Sequence, residues 1–118
     1  MTNYRKGYKF EYRLKTYFEK NGFLVLRSPA SKSPLDLVVI SKNKDLFFIQ
    51  CKKSSKDKIY VYNLKELLEL AKRYKAKPLL AFSFNRTKIF IKEIEKDAEI
   101  LSKENVTDID SWFKSYFS

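Results

Sequence analysis

Two apolar runs separated by five polar residues most constrain how this chain can fold. The runs cover residues 34–40 and 46–52, and both are rich in Leu, Val, Ile and Phe. Runs of this length and composition, bounded by turn-forming residues, are typical of buried strands. The short polar connection between them predicts an antiparallel hairpin at the centre of a sheet.

Polar residues interrupt both apolar runs of this predicted hairpin. The first run carries Asp36, and the second ends in Gln50-Cys51-Lys52. Because side chains alternate faces along a strand, Gln50 and Lys52 are expected to point one way and Cys51 the other, as a small buried side chain. The hairpin then brings Asp36 beside Gln50 and Lys52. A carboxylate among apolar residues is costly unless it is paired or binds a cation, so Asp36 is the strongest candidate for function.

The remaining apolar spacing completes an α/β pattern in a single domain of residues 1–118. The predicted order is αβββαββα, a central mixed sheet flanked by helices. Predicted helices cover residues 3–21, 64–74 and 108–117, and predicted strands cover 23–28, 35–41, 45–52, 78–84 and 88–92. Apolar positions of the second helix span a wider arc than one sheet-facing stripe needs, which indicates a second contact such as a dimer partner.

The charge of the chain indicates a polyanionic partner. The net charge is +11, and residues 1–58 hold 14 Lys and Arg against 5 Asp and Glu, an excess of nine. The positive charge therefore accompanies the half that carries Asp36 and Lys52, as expected for nucleic-acid binding. A general surplus of lysine explains part of this excess, but not why the acids concentrate in the second half.

The rarest residue types exclude several kinds of chemistry. The chain has no His, which excludes histidine bases and the usual zinc sites, and its one Cys excludes an intrachain disulfide. No apolar run approaches the ~20 residues of a membrane span, and none follows the basic N-terminus as in a signal peptide. These features predict a cytoplasmic protein.

A helix acid completes the candidate site. Glu11 lies at the rim of the apolar stripe of the first helix, where it can lean towards Asp36, although a solvated pair with Lys15 is the alternative. Oxygen atoms of Glu11, Asp36 and Gln50 are the ligands that Mg²⁺ prefers, with Mn²⁺ as a substitute. A bound cation with Lys52 beside it predicts metal-dependent hydrolysis of a phosphodiester.

These residues resemble the archaeal Holliday junction resolvases, within the PD-(D/E)xK nuclease superfamily. The likeness covers most of the chain, including Tyr4-Arg5-Lys6-Gly7 with Glu11, Asn21-Gly22-Phe23, Arg27-Ser28, the loop before Asp36, Lys52 and Lys56-Asp57-Lys58. It implies a restriction-endonuclease-like core and a homodimer that cleaves four-way DNA junctions with Mg²⁺ in recombination and repair. It also implies catalytic roles for Glu11, Asp36, Lys52 and the loop residue Ser31, and Gln50 joins these candidates as a predicted cation ligand. The candidate DNA contacts are Arg5, Lys6, Arg13, Arg27, Lys32, Lys53, Lys56 and Lys58.

One residue departs from the family pattern. Gln50 stands where the family usually has Glu. Three interpretations follow: a working but neutral ligand, a catalytically silent junction binder, or an engineered trap.

The substrate is open as well. A restriction- or repair-type nuclease acting on duplex or flap DNA would show the same core, and a non-catalytic nucleic-acid-binding module would show the same charge. The aromatic residues Phe47, Tyr60 and Tyr62 are expected to fill the core rather than stack on bases.

Overall fold

Eleven elements build the chain, as seen in a computed structural model that describes residues 2–28, 33–84 and 88–118, with side chains from residue 9 onwards. Of the predicted site residues, Ser31 and Lys32 lie outside the described residues, as do the side chains of Arg5 and Lys6. The elements are α1 (Thr2–Lys20), β1 (Leu24–Arg27), β2 (Leu37–Ile40), β3 (Leu46–Ser54), β4 (Lys58–Val61), α2 (Lys65–Arg73), β5 (Lys77–Phe84), β6 (Ile89–Glu93), β7 (Glu99–Ser102), β8 (Thr107–Asp108) and α3 (Ile109–Phe117).

Six of the strands form one mixed sheet. Its order is β1-β2-β3-β5-β6-β8, and only β3 and β5 run parallel. The predicted hairpin is present, with β2 antiparallel to β3 and Leu37 opposite Ile49. The parallel step from β3 to β5 needs a crossover connection, and α2 lies within it. The predicted α/β fold with a mixed central sheet is confirmed.

The sheet separates two apolar clusters. Odd-numbered residues of β3, Phe47 and Ile49, join the cluster under α1 and α3, with Cys51 packed against it. The even-numbered Phe48 joins the cluster under α2 and the second, two-stranded sheet of β4 and β7. Alternation along β3 therefore places Gln50 and Lys52 on the α2 side of the sheet and Cys51 on the α1 side, because successive side chains point to opposite faces.

Two of the three helices have ends that the local sequence explains. Gly22 has φ +86°, and Phe23 N–H donates to Phe18 O at 3.0 Å, so α1 ends where the Asn21-Gly22 pair predicts. At the start of α3, Asp108 Oδ1 accepts the Ser111 N–H at 2.8 Å. That hydrogen bond lowers the pKa of the Asp108 carboxyl below its usual range.

Three strands are absent from the predicted order αβββαββα. They are β4, β7 and β8, and the segment predicted as a polar loop after β3 is shorter than expected. Ile59 and Val61 of β4 are buried, but Tyr60 and Tyr62 are 55% and 65% exposed, so the prediction that both tyrosines fill the core is wrong. Phe47 is buried as expected. No described helix has the length and apolar content needed to cross a bilayer.

Candidate active site

Asp36 is fixed against strand β3 by two backbone contacts. Its N–H donates to Ile49 O at 2.8 Å, and its Oδ2 accepts the Cys51 N–H at 2.7 Å. The paired register of β2 and β3 ends with Leu37 opposite Ile49, and Asp36 just before it contacts Ile49 and Cys51. The predicted hairpin therefore brings Asp36 to the stretch of β3 that holds Gln50.

Gln50 has one satisfied and one unsatisfied polar atom. Its Nε2 donates to Pro34 O at 3.1 Å, which turns the side chain towards the segment that carries Asp36. Its Oε1 is buried and accepts no hydrogen bond from any residue that the structure describes. A buried acceptor without a donor costs about 1–3 kcal/mol, so this oxygen is a candidate ligand for a cation.

Glu11 approaches the same region from α1, but its carboxylate is paired with an arginine. Arg27 of β1 donates from Nη2 to Glu11 Oε2 at 2.8 Å. The Glu11 side chain is 19% exposed and that of Arg27 is 40% exposed, so the pair lies at the edge of the protein. The sequence predicts a cation-binding role for Glu11 and a DNA contact for Arg27, and it gives no signal that the two side chains contact each other.

Four charged side chains near Cys51 act on the pKa of its thiol. Burial raises the pKa of its thiol well above the usual value, and the negative charges of Asp36 and Glu11 raise it further. The positive charges of Arg27 and Lys52 act in the opposite direction. All four side chains are therefore close enough to one sulfur atom to influence it, and the thiol stays neutral near pH 7.

The oxygen donors fit a cation that keeps several waters. Within the described ranges, no three His, Cys, Asp or Glu side chains form a metal-binding group. The site instead offers the carboxylates of Asp36 and Glu11 and the amide oxygen of Gln50, which has no partner among the described residues. Mg²⁺ binds through one or two protein carboxylates together with waters and substrate phosphates, so this donor set is compatible with it.

The predicted DNA contacts that the structure describes lie on the surface. Arg13 is exposed on α1, Lys53 is exposed near the end of β3, and Lys56 and Lys58 are exposed in and after the following loop. Lys52 is half-buried beside the site. Positive charge therefore borders the end of β3, on the strand that carries Gln50 and Lys52.

Comparison with known proteins identifies the family. A model of the archaeal Holliday junction resolvases (Hjc) matches residues 2–114. The chain belongs to this family. The match covers nearly the whole chain, and it confirms the resemblance predicted from Glu11, Asp36 and Lys52.

Individual relatives agree with the family assignment. Crossover junction endodeoxyribonuclease Hjc of Methanocaldococcus jannaschii is 42% identical over 90 residues, which cover 75% of this chain and 66% of that protein, just under two thirds of its length. Crossover junction endodeoxyribonuclease of Sulfolobus islandicus rod-shaped virus 1 is 29% identical over 110 residues, covering 86% of this chain and 90% of that protein.

A solved structure supports the fold. The 1.6 Å structure of Archaeoglobus fulgidus Hjc, a Holliday junction resolvase, superposes with a TM-score of 0.75 at 17% identity. The match covers 92% of this chain and 98% of that one. The arrangement of strands and helices is therefore that of this resolvase, in agreement with the predicted fold. The two relatives above are both named as crossover junction endodeoxyribonucleases.

Proposed function

We propose that this chain resolves four-way DNA junctions by Mg²⁺-dependent hydrolysis of phosphodiester bonds. The proposal rests on the arrangement of two side chains beside β3. Asp36 is held against β3 by the Cys51 N–H, and the buried Gln50 Oε1 has no partner among the described residues. Membership of the resolvase family supports branched DNA as the substrate.

The cation would be held by Asp36 and Gln50, with Glu11 as a further carboxylate. When bound, Mg²⁺ supplies Lewis-acid stabilisation of the charged phosphate and a more acidic water. The Cys51 N–H fixes one oxygen of Asp36, which leaves the other oxygen of the carboxylate available. Rigid ligands of this kind reduce the cost of reorganisation during the reaction.

Two positively charged side chains complete the proposed site. Lys52 lies two residues beyond Gln50 on the same face, where its ammonium group can neutralise a scissile phosphate or orient the attacking water. Arg27 neutralises Glu11 in the structure and is 40% exposed, so it is accessible to a phosphate next to the site. The proposed contacts to the DNA backbone are the exposed side chains of Arg13, Lys53, Lys56 and Lys58, together with Arg5, Lys6 and Lys32.

The apolar surface beside α2 supports the proposal of a homodimer. Leu24 and Leu26 of β1 are 58% and 51% exposed. They belong to the α2 side of the sheet because Val25 between them packs in the cluster under α1. Tyr74 after α2 is 58% exposed, and its ring lies 6.2 Å from that of Phe48.

The wide apolar arc predicted for the second helix supports the same proposal. Leu67 and Ala71 are buried, whereas Leu68 and Leu70 are only half-buried. Leucines that remain partly uncovered on the same side of the sheet as exposed Leu24 and Leu26 form the kind of surface that a second copy buries. A two-fold dimer would hold two cleavage sites at a fixed separation, which suits a four-way junction.

The dimer is tested by placing charge on this surface. We expect Leu26→Glu to weaken self-association by at least about a hundredfold, because an unpaired buried carboxylate costs several kcal/mol. Sedimentation velocity over a concentration series measures the change. Ile100→Glu is the matched control, since Ile100 is 53% exposed on the other, two-stranded sheet. A Leu26→Glu protein that remains dimeric at the same concentrations would place the interface elsewhere.

The proposed reaction is tested with end-labelled DNA. With Mg²⁺ we expect paired, symmetric nicks in a four-way junction and intact linear duplex. In EDTA the junction should be cleaved at least about a thousandfold more slowly, since the cation supplies several kcal/mol of charge stabilisation. Equal cleavage of linear duplex would indicate a restriction- or repair-type nuclease. Binding without any cleavage would indicate a silent junction binder.

A further inference from the structure

The two-stranded sheet of β4 and β7, here called the ribbon, has one buried and one exposed face. Ile59, Val61 and Leu101 are at most 8% exposed and pack in the cluster under α2. The opposite face carries Tyr60, Tyr62 and Ile100, which are 55%, 65% and 53% exposed. The inner residues are sufficient to hold the ribbon on the protein, so the fold does not require large apolar groups on its outer face.

The outer residues form a continuous row. Tyr60 stands directly opposite Ile100, and Tyr62 lies two positions further along the chain, just past the end of β4. Residues two apart on an extended chain are separated by about 7 Å, which is twice the 3.4 Å rise between stacked bases of one DNA strand. Two aromatic rings at this spacing suit a run of bases, each ring having an exposed face to offer.

The charge on this face suits DNA. Among the described residues that β4 and β7 turn outwards, Lys58 is the one ionised side chain. Glu99 pairs with the buried Val61, and its Oε2 accepts the N–H groups of Glu95 at 2.9 Å and Lys96 at 3.3 Å, so this carboxylate is turned back into its own loop.

The ribbon is also continuous with the proposed cleavage site. Only residues 55–57 separate the end of β3, which carries Gln50 and Lys52, from Lys58 at the start of β4. Lys56 within this loop is exposed. DNA held against Lys52 therefore has a short path along Lys56 and Lys58 to the two tyrosines.

We propose that the outer face of the ribbon binds junction DNA by stacking Tyr60 and Tyr62 on bases exposed at the branch point. The proposal rests on the junction-cleaving function proposed above and adds a source of selectivity to it. Bases within a linear duplex have stacking neighbours on both sides, whereas the pairs that border a crossover lose a neighbour when the junction is open. Stacking does not read sequence, because every base has a π-face.

The experiment compares alanine and phenylalanine variants in EDTA, where cleavage plays no part. Binding of a fluorescent four-way junction and of a linear duplex is measured by anisotropy for the parent, Tyr60→Ala, Tyr62→Ala and the matching Tyr→Phe proteins. We expect each alanine variant to bind the junction about tenfold more weakly and the duplex less than about twofold more weakly. The Tyr→Phe proteins keep the ring and should bind like the parent.

Lys58→Ala separates stacking from simple charge. Removing a phosphate contact weakens binding to junction and duplex alike. It also reduces the slope of log Kd against log salt concentration by about one. The tyrosine variants should leave that salt dependence unchanged. In the parent complex, 2-aminopurine at the branch point should be quenched by the rings, and the quenching should be lost when Tyr60→Ala and Tyr62→Ala are combined.

Three outcomes would overturn the proposal. The alanine variants could bind the junction like the parent, or lose the same factor on duplex and junction. They could also sediment as monomers, in which case the ribbon faces a second copy of the chain. Junction cleavage by the parent, measured in parallel, keeps the two proposals separate, since its presence with unaffected tyrosine variants contradicts only the stacking surface.

Discussion

Asp36→Asn should slow junction cleavage by about a hundredfold to a thousandfold while it keeps junction binding, since removing one group that stabilises developing charge costs on the order of 10²–10³ in rate. The structure explains why this change is selective. The carbonyl oxygen of the substituted asparagine can still accept the Cys51 N–H that Asp36 Oδ2 accepts at 2.7 Å. The amide nitrogen then occupies the position of the other oxygen, where it presents N–H groups and no negative charge to a cation.

Single-turnover cleavage with excess protein measures this loss, and anisotropy measures binding. Asp57→Asn is the matched control, because Asp57 is exposed in the loop after β3 and its change removes the same charge near the same strand. Binding by Asp36→Asn should equal or exceed that of the parent, since one carboxylate fewer faces the phosphates. Cleavage by Asp36→Asn within tenfold of the parent would remove Asp36 from the proposed catalytic role.

The central hairpin could be predicted because its sequence signals agree with each other. Apolar runs of strand length, a short polar turn and an acid among the apolar residues all place Asp36 near the end of the second strand, where the structure holds it against Ile49 and Cys51. The end of α1 could be predicted equally well, since Gly22 adopts φ +86°, which favours glycine. Local signals of this kind need no knowledge of distant parts of the chain.

Strands β4 and β7 were missed because their pairing is not local. Val61 pairs with Glu99, nearly forty residues away, and each strand has four residues. Alternation over such a short segment is weak evidence, and the lysines before Ile59 favoured a loop. Without β7 opposite it, β4 has no exposed face that the sequence can predict, so Tyr60 and Tyr62 cannot be distinguished from core aromatic residues.

The pairing of Glu11 with Arg27 depends on the angle at which α1 crosses β1, which no spacing in the sequence encodes. The two residues are sixteen positions apart, on a helix rim and at the end of an edge strand. The sequence did predict that a helix acid approaches Asp36, and both charges do act on the Cys51 thiol. Residue types could be assigned to the site, but their partners required the packing of the helix on the sheet.

Gln50→Glu should raise the affinity for Mg²⁺ by about tenfold or more, because a further negative charge near 4 Å from a doubly charged cation adds about 2 kcal/mol even at the dielectric constant of water. Without the cation the same change should lower thermal stability. The new carboxylate would lack the N–H donor with which Gln50 now satisfies Pro34 O, and it would add a negative charge to the stretch of β3 that Asp36 contacts. Melting temperatures over a Mg²⁺ titration measure both effects. If residue 50 is a ligand, Gln50→Glu melts below the parent without Mg²⁺ and above it at high Mg²⁺.

Gln50→Met decides what the glutamine does, since it keeps the length of the side chain but removes the oxygen. If Gln50 Oε1 is a working ligand, the parent cleaves junctions, Gln50→Met loses the response of its melting temperature to Mg²⁺, and Gln50→Glu cleaves faster. If the glutamine silences the enzyme, the parent binds without cleaving and only Gln50→Glu is active. Equal Mg²⁺ responses in all three proteins would exclude residue 50 from the cation site.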